Sequence, residues 1–115
     1  ACNTTINRKR PTPSRNYKGV YVMRKFQNTI FMTRAVKEEI SWELILYIVS
    51  LVQNMPKDIE VDYLQTIDIR DNILTHKQEE PEYQKEYTLK IPTKKCKLFF
   101  IDNGQYSTLM FSHEY

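Results

Sequence analysis

Ser41-Trp42-Glu43-Leu44-Ile45-Leu46-Tyr47-Ile48-Val49-Ser50-Leu51-Val52-Gln53-Asn54-Met55, followed by Pro56, is the stretch that decides the fold. Ser41 supplies a side-chain acceptor at the N-cap position, and Glu43 falls in the first turn, where the helix dipole favours an acid. Ile40, Leu44, Ile48, Leu51, Val52 and Met55 recur at helical spacing. Trp42, Ile45, Leu46 and Val49 widen that stripe beyond a half-circle. Only Glu43, Tyr47, Ser50 and Asn54 remain as a polar line, and Pro56 stops the helix. An amphipathic helix this apolar is expected to be covered on more than one side. Complete burial under a curved sheet is the first expectation and a partner chain the second.

Strands supply that sheet. Val61, Tyr63, Gln65, Ile67 and Ile69 alternate with Asp62, Leu64, Thr66, Asp68 and Arg70, so 61–70 reads as a strand. Asp71-Asn72 is a tight-turn signal, and 73–78 returns as the second arm of a hairpin. Glu79-Glu80-Pro81-Glu82 breaks the pattern. Tyr83, Tyr87, Leu89 and Ile91 mark a third strand that ends at Pro92. Cys96 to Asp102 is a core strand, Asn103-Gly104 is a hairpin turn, and Tyr106 to Phe111 is the last strand. Upstream of the helix, Thr29-Ile30-Phe31-Met32-Thr33 predicts a strand over 28–35, and Tyr17 to Val22 a short edge strand. The expected architecture is α+β: an antiparallel sheet of five or six strands with one amphipathic helix packed on one face, in two layers, with no second helix.

The chain has 115 residues, enough for one domain with one core. Its two glycines, Gly19 and Gly104, exclude a glycine-rich phosphate loop and a dinucleotide fingerprint. Its two cysteines, Cys2 and Cys96, exclude a zinc knuckle and a disulfide framework. No apolar run approaches the ~20 residues that span a bilayer, and no secretory signal is recognisable. A cytoplasmic protein with reduced thiols, no cofactor and no membrane contact is expected. The net charge of +3 divides unevenly. Residues 1–22 carry Arg8, Lys9, Arg10, Arg15 and Lys18 and no acid, which leaves twelve basic residues against all 14 acids in 23–115. Residues 1–22 read as a basic, poorly structured extension, and 23–115 as a single mildly acidic domain.

Few constellations suggest chemistry. His76 stands near Glu79, Glu80 and Glu82, the residue types of an acid–base pair or a metal site. Their spacing fits a solvated acidic turn better, with a histidine bonded to backbone, and no metal site is expected. Cys96 opens an apolar strand, as a small core residue does. Ser107, Thr108, His113 and Glu114 supply the residue types of a triad without its sequence context. The basic residues of the extension, together with Tyr17, could neutralise phosphates and stack on a base. Against that stands the acidic body.

Specific residues nonetheless form an ordered set: Met32-Thr33-Arg34, Asp62-Tyr63-Leu64-Gln65, His76-x-Gln78-Glu79-x-Pro81-Glu82-Tyr83, Asp102-Asn103-Gly104-x-Tyr106-Ser107-Thr108 and Glu114-Tyr115. This set resembles the family called domain of unknown function 960, over about residues 23–115. The resemblance implies a small protein of low-GC Gram-positive bacteria, carried on phages and mobile elements that include staphylococcal cassette chromosomes, with no assigned biochemical role. Read physically, Arg34, Gln78, Glu79, Glu82 and Tyr83 are too polar for simple core packing. One expectation is a clasp in which Arg34 pairs with Glu79 or Glu82 and pins the Pro81 turn to the first strand. The other is a recognition patch. The leading functional expectation is a non-enzymatic protein-binding accessory module of a phage or mobile element, acting as a homodimer or on an unidentified protein partner through its helix face or a sheet edge. A nucleic-acid-associated protein that uses the basic extension comes second. A small metal-dependent or acid–base enzyme built on His76 or His113 comes third.

Overall fold

The computed structural model describes residues 24–115 together with the strand residues Ser14, Arg15, Tyr21 and Val22. Ser14–Arg15 (β1) and Tyr21–Val22 (β2) pair antiparallel as a ladder separate from the main sheet. The rest of the expected edge strand over 17–22 lies outside the described residues.

The main sheet has six strands: Thr29–Met32 (β3), Leu64–Arg70 (β4), Ile73–Gln78 (β5), Tyr83–Thr88 (β6), Cys96–Asp102 (β7) and Tyr106–Phe111 (β8). Their order is β3-β8-β7-β4-β5-β6. Four of the five pairings are antiparallel, but β3 runs parallel to β8. The sheet is therefore mixed, which corrects the purely antiparallel expectation. The cause is the crossover after β3, because a chain that leaves β3 through helices and four further strands can re-enter beside it in either direction. The strand expected over 28–35 also ends early. Arg34–Glu39 is a short helix (α1), capped by the Thr33 hydroxyl accepting from the Val36 amide at 3.3 Å. The expectation of a single helix is corrected accordingly. The expected helix runs Trp42–Gln53 (α2), and Ser41 caps it by accepting from the Leu44 amide at 3.2 Å.

The β4–β5 hairpin turns through Asp71 and Asn72, both at positive φ (53° and 61°), as a right-twisted two-residue turn requires. β6 ends at Thr88 rather than continuing to Pro92, and the Leu89 amide makes one further bond past the strand end, to the Asn72 carbonyl at 2.8 Å. At the β7–β8 turn, Asp102 accepts from the Gly104 amide and Asn103 accepts from the amides of Gln105 and Tyr106. Gly104 sits at φ +98° with open space where a Cβ would lie. Gly104→Ala should therefore cost about 1 kcal/mol from backbone strain alone, read as a shift in the urea midpoint.

One face of the sheet carries the core. Ile67 and Ile69 of β4, Leu74 of β5, Leu98 and Phe100 of β7 and Leu109 of β8 are fully buried. They form one cluster with Leu44, Ile45, Ile48 and Val52 of α2 and Val36 of α1. Phe26 closes the end of this cluster. It lies at φ 67°, an uncommon region for a bulky residue. It is held there from both sides: its amide donates to Asp102 Oδ2 at 2.8 Å, and its carbonyl accepts from Gln53 Nε2 at 2.9 Å. Arg24 secures the chain after α2 by donating to the carbonyls of Met55 and Ile59, both at 2.9 Å.

The sheet does not cover the whole apolar girth of α2. Trp42 stays 61% exposed and Leu46 51%. Complete burial of the helix, the first expectation, is not what the fold achieves. The helical stripe is wider than the sheet face beneath it.

Candidate functional site

Two features stand out: a buried polar network under the sheet and an open strand edge beside α2. The network joins three motif side chains. Gln65, His76 and Gln78 all point into the core face of β4 and β5 and are almost wholly buried. Gln78 Nε2 faces two carbonyls, those of Glu60 and Pro81, each at 2.9 Å, so it must be the amide nitrogen. Gln78 Oε1 accepts from the Asp62 amide at 2.9 Å and from Gln65 Nε2 at 2.7 Å. Gln65 Nε2 also donates to the Asp62 carbonyl at 3.0 Å. Gln65 Oε1 is thus an acceptor, and His76 Nε2, 2.7 Å away, must donate to it. The backbone orients the whole chain of bonds, and it selects the Nε2–H tautomer of His76.

That tautomer leaves His76 Nδ1 a buried lone pair without a partner. Adding a proton there would create a buried charge with nothing to accept its N–H. Burial accordingly lowers the His76 pKa from 6.5 to about 4. The solvated-turn reading of His76 is corrected: the ring packs in the sheet, edge-on to Tyr83 at 5.4 Å between centroids. The consequence for stability has a definite sign. The unfolded chain takes up a proton near pH 6.5 and the folded chain only near pH 4, so stability rises with pH across that window. The contribution is complete above about pH 6.5 and falls by up to about 3 kcal/mol as pH drops to 4. Urea midpoints between pH 7.5 and 4 should show this slope, and His76→Gln, which keeps a donor but does not titrate, should flatten it.

A clasp on the Pro81 turn therefore exists, but Gln78 makes it. Arg34 pairs instead with Glu38, one helical turn away, at 3.4 Å, and both side chains are well exposed. Glu79 and Glu82 are exposed, and among the described residues neither forms an ion pair. Arg34→Ala should change stability by less than ~0.5 kcal/mol. Glu114, at the end of the ordered set, accepts from the Thr33 hydroxyl at 2.8 Å and the Phe111 amide at 2.9 Å, ties the α1 N-cap to the end of β8, and has its pKa lowered by these bonds.

The remaining chemical candidates are dispersed. Ser107 is buried and donates its hydroxyl to Asn28 Oδ1 at 2.6 Å. Thr108 lies on the opposite face of the strand, and His113 stacks on Phe111. Burial pushes the Cys96 thiol up, with the Asp68 and Glu39 charges adding to the effect. Among the described residues, no three His, Cys, Asp or Glu side chains are placed to hold a metal ion. No helix among them is long and apolar enough to cross a membrane. Arg8, Lys9, Arg10 and Lys18 lie outside the described residues. Arg15 belongs to β1.

The open edge is the second feature. Among the described residues, β3 ends the sheet on one side. Beside it runs a groove of ≈ 390 Å³, lined by Ile30, Phe31 and Met32 from β3, by Lys37 from α1, and by Ile40, Trp42 and Ile45 around the start of α2. Phe31 is 51% exposed and packs edge-on against Tyr106 at 5.2 Å. Trp42 and Leu46, one helical turn apart, continue the apolar surface along α2. The sequence points to the helix face or a sheet edge but not to β3, because the TIFM segment looks like any core strand until the strand order puts it at an edge.

The fold and these two features define a small α+β domain with a mixed six-stranded sheet. Residues 29–114 match the family model described as "Staphylococcal protein of unknown function (DUF960)", and the chain belongs to that family. A search of curated proteins finds no match. Among solved structures the fold is similar to that titled "Crystal structure of the protein of unknown function from Enterococcus faecalis", with a TM-score of 0.67 and 18% identity, over 79% of this chain and 95% of that one.

Proposed function

We propose that this chain is a cytoplasmic, non-enzymatic protein-binding accessory module, encoded by a phage or mobile element. One observation carries the reading: Trp42 and Leu46, each at least half exposed, form an apolar surface along α2 that adjoins the groove beside β3. Scattered single apolar residues are normal on a surface, whereas contiguous ones around a groove mark interaction sites. Aromatic residues also dominate the energetics of interface centres.

The test is affinity capture from a bacterial lysate with the full chain, with and without nuclease, beside a Trp42→Ser/Leu46→Ser double variant. A stoichiometric protein that survives nuclease and is lost with the double variant supports the module. Recovery abolished by nuclease would instead favour a nucleic-acid role for Arg8, Lys9, Arg10, Arg15 and Lys18. Both substituted side chains point to solvent, so the double variant is expected to melt within a few degrees of the parent.

A further inference from the structure

We infer that the free edge of β3 receives an added β-strand, supplied by an extended, acidic segment of a partner protein with apolar residues at alternate positions. The inference rests on the protein-binding reading above and names the partner's chemistry.

The backbone sets the first requirement. The Thr33 amide donates to the Leu109 carbonyl at 3.1 Å, so Thr33 faces β8. Amide direction alternates along an extended chain, and Phe31 and Thr29 therefore face β8 too. The N–H and C=O groups of Ile30 and Met32 are turned to the other edge, where no strand pairs among the described residues. Only another extended backbone satisfies such a row at its natural spacing.

The two edges of the sheet are guarded differently. On β6 the exposed residues are Gln84, Lys85, Glu86 and Thr88, the polar and charged types that discourage strand addition. On β3 the residues are Thr29, Ile30, Phe31 and Met32, with no charge. Side chains from one face of an added strand would enter the groove over Ile40, Trp42 and Ile45, and those from the other would lie beside Phe31.

Charge selects the occupant. The groove contains one cation, Lys37, and no acid, and among the described residues Lys37 forms no ion pair. This chain's residues 1–22 hold five bases and no acid, so they are poorly matched to it. A second copy pairing through its own Thr29–Met32 brings no acid either. A partner segment with an acid among its apolar residues meets every condition. At ~3.3 Å per residue, the four residues of β3 match a segment of about four to six residues.

Trp42 is the chain's only tryptophan, so its emission reports on the groove directly. The probe is an acetylated octapeptide alternating valine with glutamate and threonine, compared with the same peptide carrying lysine for glutamate. The glutamate peptide should give a saturable blue shift, and the lysine peptide should bind at least about tenfold more weakly. Ile30→Pro removes a free-edge N–H without removing a bond to β8, and should weaken the glutamate peptide at least about tenfold. Lys37→Glu, at an exposed position, should reverse the peptide preference and serves as the second variant if Ile30→Pro does not fold. No shift with either peptide, or equal binding of both, overturns the inference. So does a dimer in sedimentation that Ile30→Pro dissociates, because the occupant is then a second copy. A lysate partner captured equally by the parent chain and Ile30→Pro sinks the edge inference and leaves the protein-binding reading standing, whereas no partner at all sinks that reading.

Discussion

Phe100→Ala should cost about 4 kcal/mol and lower the melting temperature by roughly 15 °C. Phe100 is 0% exposed, in the middle of β7, with β4 on one side and β8 on the other. Its ring packs against Phe26 at 4.6 Å between centroids, tilted by 40°. Truncation removes the transfer free energy of the ring and leaves a cavity that a hydrogen-bonded sheet cannot close. Phe26 would suffer as well. Its positive φ is tolerated because Asp102, Gln53 and the Phe100 ring together fix it. Without the ring, the 24–28 segment loses its apolar anchor, and protection of the Phe26 amide in hydrogen exchange should fall with the melting point. Phe100→Leu refills most of the volume and should cost less than half as much. A loss below about 1.5 kcal/mol for Phe100→Ala would mean that the core of this domain is loosely packed.

Gln78→Ala should cost about 3 to 4 kcal/mol, read from urea midpoints at pH 7.5. Its amide satisfies four groups: the Asp62 N–H, the Gln65 Nε2, and the carbonyls of Glu60 and Pro81. Three of those bonds lie in partly buried surroundings where water can replace the lost partner. The bond to Gln65 is fully buried, so its loss carries the largest penalty. The loss should also propagate. Gln65 would be freed to turn, and His76 Nε2 would lose its fixed acceptor. The pH slope between 6.5 and 4 should therefore change in Gln78→Ala, although residue 78 itself never titrates. An unchanged slope together with a cost near 1 kcal/mol would show that the three side chains act separately. Gln78→Glu is the sharper control, because a carboxylate cannot donate to the Glu60 and Pro81 carbonyls.

These two predictions fall on parts of the chain that differ in how plainly the sequence announces them. The β7–β8 hairpin is legible to the residue, because Cys96–Asp102 and Tyr106–Phe111 are long apolar runs and Asn103-Gly104 permits few other conformations. The α2 cap at Ser41 and the β4–β5 hairpin are legible for the same reason: each is a local preference that the tertiary fold does not oppose. The strand over 28–35 is half right. Thr33 both continues a strand pattern and caps a helix, and Val36 packing into the core decides for α1 from Arg34 onward. The polar motif residues were recognisable as a clasp but not in their pairing. Charge favours Arg34 with Glu79 or Glu82, yet the pairing that matters is between uncharged amides, which burial rewards and composition does not reveal.

Local sequence thus determined most of the elements of this protein: α2 from its apolar spacing and the stop at Pro56, and the β4–β5 and β7–β8 hairpins from their turn residues. Those are preferences of a few neighbouring residues, set by backbone sterics and side-chain capping. Only the tertiary structure decided which strand lies at an edge, that β3 runs parallel to β8, that one flank of α2 stays bare, and that Gln65, His76 and Gln78 share one buried network. Each of these depends on contacts between residues far apart in the chain, whose free energy exists only once the whole sheet has assembled.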